Sequence, residues 1–282
     1  MESWVILIFL YAIIIGFYNC TKKKAVTKNS IYEVFAYFSI IAFIITTVIS
    51  KNVFEISYKY LGFILLRTLF ISASWLMAGY AINKIPISLY AVIMLSKILF
   101  SITFSVIFLG EKITLTVFIG MIIVIVGLIL VNSNSDKKED KEISKKELFI
   151  LLFSCLLSSI AVILDKKILY NITSSQLQFW FLLFLTIILW IILLIKQKSF
   201  NYKIVKKNYW IPMMSISLVV ADKLLFMANE IPESMVSVMT ILKQLSTIEI
   251  IILGKIMFEE KKILRKLLCS TLIIIGIIFT LI

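Results

Sequence analysis

The chain has 282 residues, of which 61% are apolar and 16% are charged, and its formal net charge is +13. A soluble domain of this size needs more polar surface to cover its core, so the composition excludes an ordinary soluble protein. The sequence contains no histidine, which excludes Ser-His-Asp and Cys-His catalysis, histidine-ligated metals and histidine proton relays.

Ten apolar segments predict membrane-spanning α-helices, since a helix needs about 20 apolar residues to cross the hydrocarbon core. The first begins after Glu2 and is followed by Lys22, Lys23 and Lys24 without a small-residue cleavage site, so it is read as a span and not as a cleaved signal. The predicted spans are 3–19, 32–50, 60–82, 86–109, 113–131, 148–170, 176–195, 209–229, 232–253 and 264–282.

The remaining polar residues predict neither a metal, nor a cofactor, nor a nucleic-acid partner. The three cysteines, Cys20, Cys155 and Cys269, match no disulfide or zinc spacing. The basic residues lie in short segments between spans, where they orient a membrane protein and contact anionic lipid headgroups. We therefore expect the lipid bilayer to surround this chain, and we expect it to be a multi-pass protein of the cell membrane.

A charged stretch divides the chain into two halves. Residues 132–147 form the only sustained polar segment and predict a solvated linker. Residues 83–88 (NKIPIS) and 229–234 (NEIPES) then align at a shift of 146, and the same shift aligns Lys97 with Lys243. We interpret 1–131 and 148–282 as two copies of one unit.

The number of spans in each copy determines how the copies are related. Five is odd, so the second copy lies upside down in the membrane relative to the first. Inverted repeats about an axis in the membrane plane are typical of secondary transporters. The predicted fold class is an all-α membrane protein with ten transmembrane helices in two inverted five-helix repeats.

Residues 73–114 carry a recognisable pattern. A helix rich in small residues is followed by an Ile-Pro-x-Ser turn, a further helix, Phe-Leu-Gly-Glu-Lys, and a helix with a central glycine. Residues 227–262 repeat this pattern more loosely, with Phe-Glu-Glu-Lys in place of Leu-Gly-Glu. The chain resembles the EamA family of the drug/metabolite transporter superfamily over essentially its whole length. The resemblance implies an exporter or importer of amino acids, sugars, nucleotide sugars, metabolites or drugs.

Two lysines inside predicted spans are the first candidates for a binding site, because intramembrane charge is costly. Lys97 and Lys243 each lie eleven residues past a helix-opening proline, roughly 16 Å along the helix and near the midplane. We expect them to face each other as an anion-binding pair for a carboxylate or phosphate group. The alternative is that each lysine extends to the interface or caps a helix carbonyl.

Two acidic residues inside spans are candidates for coupling or gating. Asp222 is predicted at a depth similar to that of Lys243, either as a neutralising partner or as a switch that substrate or a proton breaks. Glu249 is predicted either to carry a coupled proton or to be solvated near the far interface. Lys223 follows Asp222 and points about 100° away from it, towards a polar groove or a kink.

Other polar and aromatic residues receive mainly structural interpretations. Trp75 and Tyr80 are candidates for lining the cavity, with packing as the alternative. Asp165, with Lys166 and Lys167, is predicted to be an interfacial anchor at the end of the sixth span. Glu111 and Glu260 are predicted to open helices, where a carboxylate suits the N-terminal dipole.

Membrane orientation is predicted differently by two arguments. Most lysines lie in the odd-numbered loops, so the positive-inside rule places those loops and the linker in the cytoplasm and both termini outside. The family resemblance implies both termini inside. Both arguments place the two termini on one side.

These observations predict a secondary transporter that moves a small metabolite, anionic in the first hypothesis, by alternating access. A proton or a counter-substrate is the expected coupling partner, since no ATP-binding motif is present. The alternatives are a non-transporting membrane scaffold or receptor and a lipid-handling membrane enzyme. The absence of paired carboxylates or a nucleophile near a predicted headgroup disfavours the enzyme.

Overall fold

The computed structural model describes residues 2–27, 29–82, 93–133, 145–196, 204–258 and 263–282. All regular secondary structure in these ranges is helical. The helices are α1 (Ser3–Val26), α2 (Ile31–Ile49), α3 (Tyr58–Ile82), α4 (Ser96–Leu109), α5 (Leu115–Ser133), α6 (Lys145–Leu169), α7 (Ser174–Lys196), α8 (Ile204–Lys207), α9 (Trp210–Glu230), α10 (Val236–Leu242), α11 (Leu245–Phe258) and α12 (Ile263–Leu281).

Seven segments of the described residues are long and apolar enough to cross a membrane. Six of them coincide with α1, α2, α3, α6, α7 and α9, and the seventh joins α10 to α11 as Val236–Met257. Three shorter apolar helices lie where the other three spans are predicted, within α4, α5 and α12. The chain is therefore an all-helical, multi-pass integral membrane protein, and the count of ten spans stays a prediction.

The helices differ from the predicted spans mainly at their ends. Helix α1 continues to Val26, past the predicted end at residue 19. Helix α5 continues into the predicted linker and α6 begins inside it, at Lys145. Residues 134–144 of the linker, the first copy of the repeated motif at 83–88, and Glu260 lie outside the described residues.

The first of two compact units comprises Met1–Ser72 and Asp165–Ser234. Helix α1 packs along α9, and α2 packs against α7 and α9. Its core contains the fully buried rings of Phe38, Phe181 and Phe226. Several helices are joined by a polar side chain that donates to a backbone carbonyl: Gln178 Nε2 binds Val219 O at 2.6 Å, and Ser215 Oγ binds Phe38 O at 3.0 Å.

The second unit comprises Ala73–Leu164 and Met235–Ile282. Its most extensive contact is between α5 and α12, and α10 contacts α4, α5 and α12. A small core forms where Ala81 of α3 and Leu151 of α6 pack with Ile93, just before α4. Both units contain helices from both halves of the chain, so they cut across the predicted repeats.

Candidate functional site

Lys97 lies in the first turn of α4, inside the second unit. The turn at Leu95 interrupts the helical backbone immediately before it. The Ile98 amide donates to the carbonyl of Leu95 at 2.9 Å, a bond to the third residue back instead of the fourth. Such tightening is typical of 3₁₀ geometry, which in mid-helix often marks a functional position. The Lys97 side chain is half-buried.

Lys243 occupies a similar position in the same unit. It follows α10 directly, and α11 begins two residues later. The Gln244 amide donates to Ile241 O at 3.0 Å, and the Ser246 amide donates to Lys243 O at 3.1 Å, so this segment is also tightened to three-residue bonds. The side chain is half-buried and lies within the candidate span Val236–Met257.

The helices that carry the two lysines contact each other. Helix α4 packs against α10 within the second unit. Lys97 lies at the start of α4 and Lys243 directly follows α10, so each lysine lies at an end of one of the two contacting helices. That the two ammonium groups share an anion-binding site stays a prediction.

Helix α6 adds small polar side chains beside α4. The Ser159 hydroxyl donates to Cys155 O at 2.9 Å and is 3.2 Å from Lys97 O, and it accepts from the Ser101 hydroxyl at 3.0 Å. The buried Cys155 thiol is close enough to Lys97 to interact with its charge, and lies 3.7 Å from Met94 Sδ. Serine hydroxyls of this kind join helices in membranes, so α6 fixes the backbone that bears Lys97.

Three further predicted site residues lie in the second unit. Trp75 is half-buried and Tyr80 is 45% exposed on α3. They are five positions apart, about 140° around the helix, so they face different directions. Glu249 is half-buried on α11, and its Oε2 atom is buried without a hydrogen-bond partner among the described residues. Their roles in binding and coupling stay predictions.

Asp222 lies in the first unit, on the face of α9 directed towards α1. It is half-buried, and its charge acts on the phenol groups of Tyr11 and Tyr18. Its pairing with Lys243 stays a prediction. Lys223, the next residue, donates to the hydroxyls of Ser174 (3.1 Å) and Ser175 (2.6 Å), so its head group meets the polar start of α7.

The interpretation of Asp165 as an interfacial anchor is wrong. Asp165 is 3% exposed and receives two hydrogen bonds from Arg67 of α3, from Nε at 2.6 Å and from Nη2 at 2.9 Å. The Arg67 guanidinium also lies 4.0 Å from the centre of the Phe181 ring. Arg67 is a buried residue within α3, and it neutralises Asp165.

Lys166 is also buried within the protein, with 2% exposure. Its ammonium group donates to the carbonyls of Asn229 (3.0 Å) and Ile231 (2.6 Å) and to the hydroxyl of Ser234 (2.7 Å). These acceptors belong to the Asn-x-Ile-Pro-x-Ser motif at the end of α9. Only Lys167 of the three predicted anchor residues is exposed.

Glu111 binds a helix N-terminus, as predicted, but this is the N-terminus of α10 and not that of α5, the helix that follows Glu111 in the sequence. It receives bonds from the amides of Val236 (2.5 Å) and Ser237 (2.9 Å) at the start of α10, and another from the Ser237 hydroxyl at 2.6 Å. The partners of Arg67, Lys166 and Glu111 are between 63 and 126 positions away. Sequence reasoning missed these pairings for that reason, and charge inside an apolar run was the only available signal.

The fold and these buried polar contacts define a class, the multi-pass helical membrane proteins that carry charge inside their spans. Residues 2–133 match the EamA-like transporter family. This match confirms the resemblance seen in the motifs of the first repeat, and it indicates a membrane transporter of the drug/metabolite type.

Structural comparison shows the same fold over nearly the whole chain. A solved structure described as "Crystal structure of protein" matches with a TM-score of 0.78, covering 99% of this chain and 96% of its own, at 10% sequence identity. No curated protein matches the sequence.

Proposed function

We propose that this protein is a secondary transporter of a small metabolite that carries a carboxylate or phosphate group. Lys97 and Lys243 bind that anionic group, with Trp75 and Tyr80 as candidate lining residues. The observation that carries the proposal is the shared environment of the two lysines. They align in the repeated sequence, and both lie at tightened turns of helices that contact each other.

The tightened turns support a binding role over a purely structural one. Where a helix changes from four-residue to three-residue bonds, backbone groups are re-oriented and become accessible to other partners. Interrupted helices near the midplane form the substrate sites of many transporters with inverted repeats. We propose that the two five-helix halves rock about such a site, which opens alternately to either side.

The proposed driving force is a proton gradient or exchange for a counter-substrate. Glu249 supports proton coupling, because a carboxyl group within a span, with one oxygen lacking a hydrogen-bond partner among the described residues, can bind a proton without breaking an existing bond. Asp222 is the second candidate, since its carboxylate interacts with the phenols of Tyr11 and Tyr18. Replacing Glu249 with Gln should abolish uptake driven by a pH gradient and retain exchange. Unchanged gradient-driven uptake excludes Glu249 as the proton carrier.

A thermal-shift screen of the purified protein tests the substrate class. The panel contains succinate and glucose 6-phosphate as anions, alanine as a zwitterion, glucose as a neutral solute and tetraphenylphosphonium as a cation. A ligand that binds the folded state raises the unfolding midpoint by mass action. We expect an anionic member of the panel to raise the unfolding midpoint. The same compound should then undergo counterflow in proteoliposomes that contain the protein.

Charge-removing variants test the site itself. Lys97→Gln and Lys243→Gln should each abolish the shift and the counterflow while the protein still inserts and folds. The matched control is Lys167→Gln, which removes an exposed lysine from the same chain. Full transport by the double Lys97→Gln/Lys243→Gln variant, or shifts with only neutral or cationic members, would refute the anion site.

A further inference from the structure

The chain between α9 and α10, residues 231–235, is held from both sides by charged side chains; we refer to it as the α9–α10 turn. On the α9 side, Lys166 is 2% exposed and donates to Asn229 O, Ile231 O and Ser234 Oγ, with Pro232 O at 3.4 Å. An ammonium group has three N–H donors, so these three shorter bonds use all of them.

On the α10 side, both carboxylate oxygens of Glu111 accept hydrogen bonds. Oε1 binds the Val236 amide at 2.5 Å, and Oε2 binds the Ser237 amide at 2.9 Å and the Ser237 hydroxyl at 2.6 Å. The first amides of a helix have no partner within the helix, so Glu111 supplies one for two of them.

The signs of the two charges match the helix ends that they contact. A cation lies at the carbonyl end of α9, and an anion lies at the amide end of α10. Backbone groups at helix ends lack partners within the helix, and here Lys166 supplies them at the end of α9 while Glu111 supplies them at the start of α10. Helices commonly end on a glycine, whereas α9 ends on Glu230 before Ile231 and Pro232.

Helix α10 connects this turn to the proposed site. It has seven residues and Lys243 follows it directly. Seven helical residues span about 10 Å as a stiff rod, so a displacement at Val236 is transmitted to Lys243. The tightened turn at Lys243 forms the other end of the rod.

We infer that Glu111 is a positioning residue for Lys243 and acts on it through the N-terminus of α10. The inference rests on the proposed function only in that Lys243 binds substrate. The placement of α10 and α11 can be tested without any substrate.

The first experiment measures placement by spin-label distance. Cys20, Cys155 and Cys269 are replaced by Ala, and nitroxides are attached at Leu99 of α4 and Ile252 of α11, both nearly half exposed. We expect one narrow distance distribution in the parent protein. Glu111→Gln should broaden or shift it, Glu111→Asp should restore part of it, and Lys167→Gln should leave it unchanged.

The second experiment measures binding of succinate and inorganic phosphate, the simplest carboxylate and phosphate probes. For the probe that binds the native protein, Glu111→Gln should raise Kd at least about tenfold, with partial recovery in Glu111→Asp. If neither probe binds in a Lys243-dependent manner, the proposed anion site fails, and the spin-label result still decides the positioning role.

Two outcomes would overturn the inference. One is a reduced unfolding midpoint in Glu111→Gln with an unchanged distance distribution, which would make the contact a structural cap only. The other is a changed distribution in Lys167→Gln, which would trace the effect to general loss of charge. If Glu111→Gln does not insert, Ser237→Ala removes one hydrogen bond to the same carboxylate and tests the same helix start.

Discussion

The buried charges of this protein are stabilised by partners from distant parts of the chain. Arg67 and Asp165 form a two-bond pair, and Arg67 stacks on Phe181. The Asp-Lys-Lys run at 165–167 looks like a span end because hydropathy weighs each residue without its partner. The structure buries the first two of these residues and exposes only the third.

Removing one member of the Arg67–Asp165 pair should destabilise the protein. Asp165→Asn leaves a buried guanidinium without its counter-charge, which costs about 3–5 kcal/mol in comparable buried pairs. We expect a lower midpoint of thermal unfolding in detergent, measured by intrinsic fluorescence or by loss of the monodisperse species.

The double variant Arg67→Met/Asp165→Leu separates pairing from burial. Because it removes both charges and keeps apolar volume, it should be more stable than Asp165→Asn alone. Glu55→Gln is the control, since that side chain is exposed in the same unit. A midpoint in Asp165→Asn equal to that of Glu55→Gln would show that the ion pair contributes nothing to stability.

At the scale of helices, hydropathy predicted most of the fold. Seven of the predicted spans correspond to helices of sufficient length among the described residues, and most boundaries agree within three residues. The tightened turns at Lys97 and Lys243 were not predictable, because apolar periodicity does not distinguish three-residue from four-residue bonding. The repeated motif nevertheless identified the two lysines that occupy them.

The contact between α5 and α12, the most extensive among the described helices, depends on glycines. A Cβ atom built on Gly276 would lie 2.7 Å from the Gly120 carbonyl and 2.6 Å from Val124 Cγ2. Small residues let membrane helices approach in this way. Gly276→Ala should therefore force the backbones apart and cost about 1–3 kcal/mol, measured as a lower midpoint of thermal unfolding.

Gly62 of α3 provides the matched control for this change. A Cβ there meets no atom within 4 Å, so Gly62→Ala should be neutral or stabilise the helix by up to about 1 kcal/mol. If Gly276→Ala were as stable as Gly62→Ala, the two helices would not be in the close contact described.

At the scale of the whole molecule, the two compact units do not correspond to the two predicted repeats. Each unit combines helices from both halves of the chain, and α3 and α6 contribute to both. The repeat is predicted from aligned motifs along the sequence, whereas packing depends on which helices meet in space. The predicted repeat therefore concerns the order of segments along the chain, and the two units describe where the contacts are.

The number of spans predicts where the termini lie. Ten spans place both termini on one face of the membrane and residues 132–147 on the opposite face, whereas seven would separate the termini. In sealed right-side-out vesicles treated with protease, we expect epitope tags at the N-terminus and C-terminus to be either both protected or both digested. A protease site inserted in 132–147 should show the opposite result. Digestion of the terminal tags from outside supports the positive-inside placement, and their protection supports the orientation that the family implies. Termini on opposite faces would refute the ten-span topology.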